Sequence, residues 1–378
     1  MVKCVELHIH LDGAIKHETL LDLSREKNHP LGKTVEDVRN ELIHRQPCEN
    51  LYKFLEHFIK FMPSVVGDPD AIERIAYELC EVQAKNDVVY FEARHCPHLL
   101  ANTEQDVLWN PSTVFHGKGA VTPEDVIKLI KKGLDRGEKD FGVVGRQILG
   151  CFRGKSFLSE KVLRLCEQFK DHGVVGIDIA GIAGHEGNEQ TDPENVKVFQ
   201  EAKRLGIHRT VHAGEAGTAD DVKQAIALLH AERIGHGYHV LDDEDVYKYA
   251  KEKRAIALLH AERIGHGYHV LDDEDVYKYA KEKRVHFEAC PLSSYLTGSV
   301  TVPWDQHPVT RFFADEVNFG ISTDDPTLTG NWIQDEIKLV QQKLSYNDEK
   351  LKLLQVNALN SAFIPDEEKS VLLDRLVS

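Results

Sequence analysis

A chain of 378 residues, 42% hydrophobic and 29% charged, has the make-up of a soluble globular protein with one large or two ordinary domains. Its formal net charge of −16, with no Lys/Arg cluster to offset it, argues against a nucleic-acid backbone or an anionic membrane as partner. The seven cysteines form no Cys-x-x-Cys, and no apolar run reaches membrane length. Glu6, His8 and His10 interrupt the only early apolar stretch, so no signal peptide is read and a cytoplasmic location with reduced thiols is expected.

In chain order, residues 4–10 alternate: Val5, Leu7 and Ile9 fall on one face, Glu6, His8 and His10 on the other. This predicts a strand, ended by Asp12-Gly13. Helices are predicted over 17–26, 51–62 and 70–85. Within the second, Leu51, Phe54, Leu55 and Phe58 form an apolar stripe whose plain reading is core packing. A strand follows at 88–94, then a polar loop at 102–122 rich in Gly, Pro and Asn. Next come a helix at 123–137, strands at 143–151 and 174–180 with a helix at 160–171 between them, a loop at 181–192, a helix at 193–205 and a short strand at 209–212.

Residues 225–254 (AIALLHAERIGHGYHVLDDEDVYKYAKEKR) then recur without one difference as 255–284. The block is about the size of one strand-plus-helix unit. A solenoid needs several diverged units, and nothing else in the chain repeats. Each copy carries a strand, 233–236 or 263–266. Strands at 285–289 and 318–322 and helices at 334–344, 348–359 and 365–376 close the chain.

The strand count is eight if the block is counted once and nine if twice. Strands alternating with helices imply a parallel sheet. Eight of them make an α/β fold, the (β/α)8 TIM barrel, with chemistry at the C-terminal strand ends. A single domain spanning 1–378 is expected. Strand number, tilt and shear are linked in a barrel, so a ninth strand is expected to stay out. One copy would supply the sixth strand. The other, 255–284 or 225–254, would be extruded or packed outside, with a long helix over 242–261 joining the two. The first copy keeps its link to strand five and the second its link to strand seven; order of synthesis favours the first.

Four strand ends carry chemistry. His8 and His10, at i and i+2, point the same way and can reach one metal, although histidines are also common at surfaces and in satisfied cores. His212 ends a strand and is followed by Ala213, Gly214 and Glu215; the small residues admit a ligand, and a partly desolvated Glu215 can act as an acid. The competing reading is a plain strand end with a solvated glutamate. Gly-His-Gly in the block frees His236, or His266, to face a cavity, or is simply a Gly-rich turn. Asp324 and Asp325 point to different partners in extended backbone, so one can bind a metal and the other a substrate; the alternative is an Asp-Asp-Pro helix start. Mixed histidine and carboxylate ligation suits zinc with one position open to water. The four ends together predict a metal-assisted hydrolase.

The motifs HIHLDG (8–13), GIHRTVHAGE (206–215), GHGYH (235–239), HFEACPLSSYLTG (286–298) and STDDP (322–326), with EARHCPHLLAN (92–102), resemble the adenosine deaminase family of metal-dependent amidohydrolases over nearly the whole chain. The resemblance implies a TIM barrel with one zinc (Zn2+) per subunit, acting on adenosine and 2′-deoxyadenosine. It implies His8, His10, His212 and Asp324 as zinc ligands and Glu215 as proton donor to the purine N1. His236 or His266 would orient and deprotonate the water. Asp325 and Gly181 would bond the purine at N7 and N3, and Asp12 the ribose. Phe54, Leu55 and Phe58 would line a lid over the sugar, displacing the core-packing reading. A monomer is expected, with no nucleic-acid or membrane partner. The sequence departs from the family at Ile182-Ala183, where Asp-Glu is usual, at Leu292, where Trp is frequent, and in the doubled block. A deaminase of AMP or N6-modified purine nucleotides, or a purine- or partner-binding protein disabled by the duplication, are the alternatives; an acidic chain without a phosphate-binding Arg/Lys cluster disfavours the nucleotide.

Overall fold

The computed structural model describes residues 2–29, 31–103, 119–181, 189, 191–237, 262–344 and 347–377. Nine strands pair in chain order: β1 (Cys4–His10), β2 (Val88–His95), β3 (Val144–Phe152), β4 (Val174–Ala180), β5 (His208–Ala213), β6 (Arg233–His236), β7 (Arg263–His266), β8 (His286–Ala289) and β9 (Phe319–Ile321). All eight neighbouring pairs are parallel. The sheet curls until β1 meets the end of β9, where Ile9 bridges Asp324. There His10 N donates to Asp324 O at 2.9 Å and Asp324 N donates to His8 O at 3.0 Å. This is a TIM-type α/β barrel, as the alternation predicts.

The expectation that one copy of the block stays outside is wrong. Both strands enter the barrel, and they pair residue for residue: Arg233 with Arg263, Ile234 with Ile264, Gly235 with Gly265 and His236 with His266. An excluded strand leaves its backbone donors and acceptors unpaired at an edge. An identical strand inserted in the same register satisfies them and keeps each side-chain layer level with its neighbour. Pairing is sparse at two places in the sheet: β4 and β5 share two register pairs, and the β1–β9 seam has one bridge. The predicted helix over 242–261 and most of the loop over 102–122 lie outside the described residues.

The helices form where the sequence caps them. Asp68 accepts from Asp70 N and Ala71 N, and Pro69 opens the helix Pro69–Lys85. Thr122 and Asp125 make a reciprocal capping box for Pro123–Phe141, which runs on past its expected end to Gly142 in the left-handed conformation (φ +75°). These two helices pack closely through Gly133, where a Cβ would sit 2.5 Å from Glu73 O. The helix Val35–Leu42 was not predicted. Its signal, Thr34 three residues before Asp37 in a capping box, was there to be read. Apolar side chains of the helices and the outer strand faces make one large buried cluster. The barrel lumen is different: Arg94, Arg233 and Arg263 are buried there with Glu6, Glu92, Asp178 and Glu288.

Candidate metal and catalytic site

The C-terminal strand ends bring the predicted side chains together. Ring nitrogens of His8, His10 and His212 lie within 4.8 Å of one another. Asp324 Oδ1 stands 3.4 Å from Nε2 of both His8 and His10. The backbone at Asp324, His236 and His266 is left-handed, with φ of 69°, 71° and 55°, a conformation uncommon for non-glycine residues.

Two carboxylates deeper in the barrel orient the histidines. His8 Nδ1 is 2.9 Å from Glu288 Oε2, and His212 Nδ1 is 3.1 Å from Asp178 Oδ2. A proton held on Nδ1 by a carboxylate leaves the Nε2 lone pair for a cation. Arg233 Nη2 also approaches His8 Nδ1, at 2.6 Å. Since Arg233 donates to Glu288 through Nε at 2.6 Å, the carboxylate remains the group that takes the imidazole proton. Burial, then the charges of Arg94 and Arg233, push His8 down to about 3; burial, then Arg94, holds His10 well below its ordinary value. Neutral imidazoles are the form that ligates. Burial alone raises Asp324, but His8 and His266 outweigh it and keep the carboxyl well below its usual range. The imidazoles of His8, His10 and His212 and one carboxylate therefore fit a divalent metal in donor type and convergence. Arg94 Nη1 faces the same pole, 3.0 Å from His8 Nε2 and 3.4 Å from His212 Nε2.

The glycines of the doubled block make room for these rings. A Cβ at Gly235 would lie 2.9 Å from the His212 ring, and one at Gly265 would lie 2.7 Å from the His8 ring. Each copy of Gly-His thus cradles a different histidine.

Glu215 and His236 form a second pair, with Oε2 and Nε2 3.2 Å apart. Burial, then the charges of Glu189 and Asp324, raise Glu215 well above its ordinary value. Burial, then His266 and His212, keep His236 well below its own. So this environment favours the protonated carboxyl at Glu215 and the neutral ring at His236. Glu189 clamps this loop, its carboxylate accepting from Glu215 N at 3.2 Å and Ala216 N at 3.0 Å. His266 stacks on His236, ring centroids 4.5 Å apart. It belongs to the other side of the site: its Nδ1 is 2.7 Å from Ser294 Oγ and its Nε2 is 3.5 Å from Asp324 Oδ2.

Of the remaining predicted residues, Asp325 and Asp12 lie beside the carboxylates of this centre. Asp325 does not cap the short helix Pro326–Thr329 with its side chain; its Oδ1 is buried with no hydrogen-bond partner among the described residues. Burial, then the neighbouring carboxylates Asp324, Asp12 and Glu215, push Asp325 well up. Gly13 leaves room for this carboxyl, because a Cβ there would fall 1.8 Å from Asp325 Oδ1. Burial raises Asp12 to about 6. Gly181 follows β4 with φ +81°, and a Cβ there would meet the Phe152 ring at 2.9 Å; Ile182 and Ala183 lie outside the described residues. On the helix Leu51–Phe61, Phe54 is buried and stacked on His44 with ring centroids 4.8 Å apart, and Leu55 and Phe58 are half-buried. Glu288, Asp178, Glu189, Arg94 and Ser293, whose Oγ donates to Asp324 Oδ2 at 2.8 Å, were not singled out from sequence.

The family profile described as Adenosine deaminase matches residues 3–256 and again 251–378. The chain belongs to the adenosine deaminase family. The two matched spans together reach nearly end to end and meet in the doubled block. The chain is 40% identical to the adenosine deaminase of Gallus gallus over 374 residues, 98% of this chain and 94% of that one. The fold is that of the adenine deaminase from Arthrobacter aurescens, TM-score 0.75 at 22% identity, covering 100% of this chain and 98% of that one. An amidohydrolase from Burkhoderia ambifaria with bound Zn is similar, TM-score 0.72 at 22% identity, covering 100% and 93%. Members of this family are deaminating enzymes, which is the chemistry that a metal group beside a protonated carboxyl can serve. No helix among the described residues is long and apolar enough to cross a membrane.

Proposed function

We propose that the protein catalyses the zinc-dependent hydrolytic deamination of adenosine and 2′-deoxyadenosine to inosine and 2′-deoxyinosine, in purine salvage, as a cytoplasmic monomer with one zinc per subunit. The observation that carries this reading is the meeting of His8, His10, His212 and Asp324 beside the Glu215–His236 pair in a chain 40% identical to an adenosine deaminase. Residues 1–378 act as one domain, with 255–284 or 225–254 as the inserted copy.

His8, His10, His212 and Asp324 would hold the zinc. When bound, zinc supplies Lewis acidity that makes hydroxide available near neutral pH. His236 orients the attacking water and accepts its proton, a role that its unprotonated ring and its place beside Glu215 suit. His266 supports this from the adjoining strand by holding Asp324. Glu215 gives its proton to the purine N1, which readies the ring carbon for attack and the amine for departure as ammonia. Asp325, kept protonated by burial and its acidic neighbours, donates to N7, and the backbone at Gly181 meets N3. Asp12 bonds the ribose, and Phe54, Leu55 and Phe58 cover the sugar.

Purified full-length chain assayed on adenosine, 2′-deoxyadenosine, AMP and N6-methyl-AMP tests this. Turnover is expected on the two nucleosides, with the nucleotides poor. Preference for a nucleotide would move the reading to a nucleotide deaminase. Full metal occupancy without turnover of any of the four would make the protein a binding protein.

A further inference from the structure

Doubling the block puts two strand-end histidines where one unit supplies one, and the second has a chemistry of its own. His266 forms a second group with His8 and Cys290, all three buried, with ligand atoms within 4.8 Å of one another. This group shares His8 with the set His8, His10 and His212 and differs from it in ligand type, because it contains a thiol. Asp324 lies between the two groups and offers each a different oxygen. Its Oδ1 faces His8 and His10 at 3.4 Å, and its Oδ2 faces His266 at 3.5 Å. A carboxylate with one oxygen on each side can bridge two metal ions.

We propose that the duplication creates a second metal site, built from His266, Cys290 and the Oδ2 side of Asp324 with His8 at its boundary, that takes a thiophilic divalent cation such as zinc or cadmium. This rests on the reading of His8, His10, His212 and Asp324 as the first metal site. Thiolate and imidazole select such cations over calcium or magnesium. Binding exchanges the Cys290 thiol proton for the cation: the S–H bond breaks, the sulfur–metal bond forms, and the proton leaves to buffer. Nothing is oxidised or reduced. The second cation draws on Asp324 and His266, so it inhibits turnover. Zinc therefore activates as the first equivalent and inhibits as the second.

The test uses the full chain stripped of metal and titrated with zinc, and separately with cadmium. Readouts are metal bound per chain by equilibrium dialysis, the ultraviolet thiolate-to-cadmium absorption, and adenosine turnover. Two equivalents are expected, the second bringing the thiolate band and the loss of turnover. In Cys290→Ser, one equivalent is expected, with no band and no inhibition at excess zinc. His266→Ala gives an independent count and is likewise expected to bind one. A wild-type chain that saturates at one equivalent with turnover intact would overturn the second site alone. A chain whose first equivalent brings no turnover would instead overturn the proposed function. A thiolate band that persists in Cys290→Ser would assign the sulfur to another cysteine and reject the site.

Discussion

At the scale of single residues, the site works through side chains held by partners far away in sequence. His8 and Glu288 meet across 280 positions. A carboxylate that fixes a metal histidine's tautomer is typically worth about 10–100-fold in metal affinity. Glu288→Gln is therefore expected to weaken zinc binding by about that factor, measured by competition with a chromophoric chelator; unchanged affinity would remove Glu288 from this role. Glu215→Gln keeps the shape of the proton donor without its proton. It is expected to lower kcat by about 10²–10⁴-fold while metal content stays at the wild-type level. What sequence made legible was the side chain that announces itself locally: His8 and His10 at alternate strand positions, His212 and Glu215 around two small residues, and Asp324 after a strand. Glu288 and Asp178 were illegible because each is an isolated acid in its own strand, and Glu189 because it is one of three acids in its loop. Only barrel closure reveals that each ends on a histidine or on the Gly214–Ala216 backbone.

At the scale of elements, strand positions and types were readable because hydrophobic alternation and caps are local, and seven of the nine strands fall outside the repeated block. The fate of the extra strand was not readable. The linkage of strand number to tilt and shear suggested exclusion. Residue-for-residue pairing of Arg233–His236 with Arg263–His266 prevails because a strand identical to its neighbour presents a matching edge and matching layers. The second arginine is accommodated in the same way. Arg263 donates to Glu92 Oε2 at 2.7 Å and to Glu288 Oε1 at 2.7 Å, while Arg233 shares Glu288. A buried Arg–Glu–Arg arrangement is costly to desolvate and contributes little net stability. Deleting 255–284 leaves one block with both of its natural links, since the junction sequences are the same. The shortened chain is expected to fold, to retain the first metal site, and to melt a few degrees higher, about 2–4 °C for each ~1 kcal/mol gained. A scan showing a lower Tm, or loss of cooperative melting, would mean that the ninth strand has become necessary to the barrel.

At the scale of the whole molecule, a net charge of −16 accompanies many carboxyls buried around the lumen, and this predicts how stability varies with pH. Glu336 accepts from Leu292 N at 2.7 Å and from Asn331 Nδ2. Burial, and more weakly the charges of Glu6 and Asp335, raise it from 4.5 to about 8. The folded state therefore binds this proton more tightly than the unfolded state. Its contribution is fully present below about pH 4.5 and is lost as pH rises through about 8, so stability falls across that window by a few kcal/mol. Glu336→Gln is expected to flatten the fall in denaturation midpoint between pH 5 and pH 8. A slope equal to wild type would show that Glu336 ionises normally in the folded chain. The central claim concerns the whole chain as well: a barrel of nine strands still assembles one working metal-dependent deaminase site. Its most direct test is the fall in ultraviolet absorbance as the purified, undeleted chain converts adenosine to inosine, followed before chelator, after chelator and after one equivalent of zinc. Turnover, its loss, and its return are the predicted sequence. Turnover that continues unchanged with the metal removed, or no turnover with the first site filled, would contradict the account.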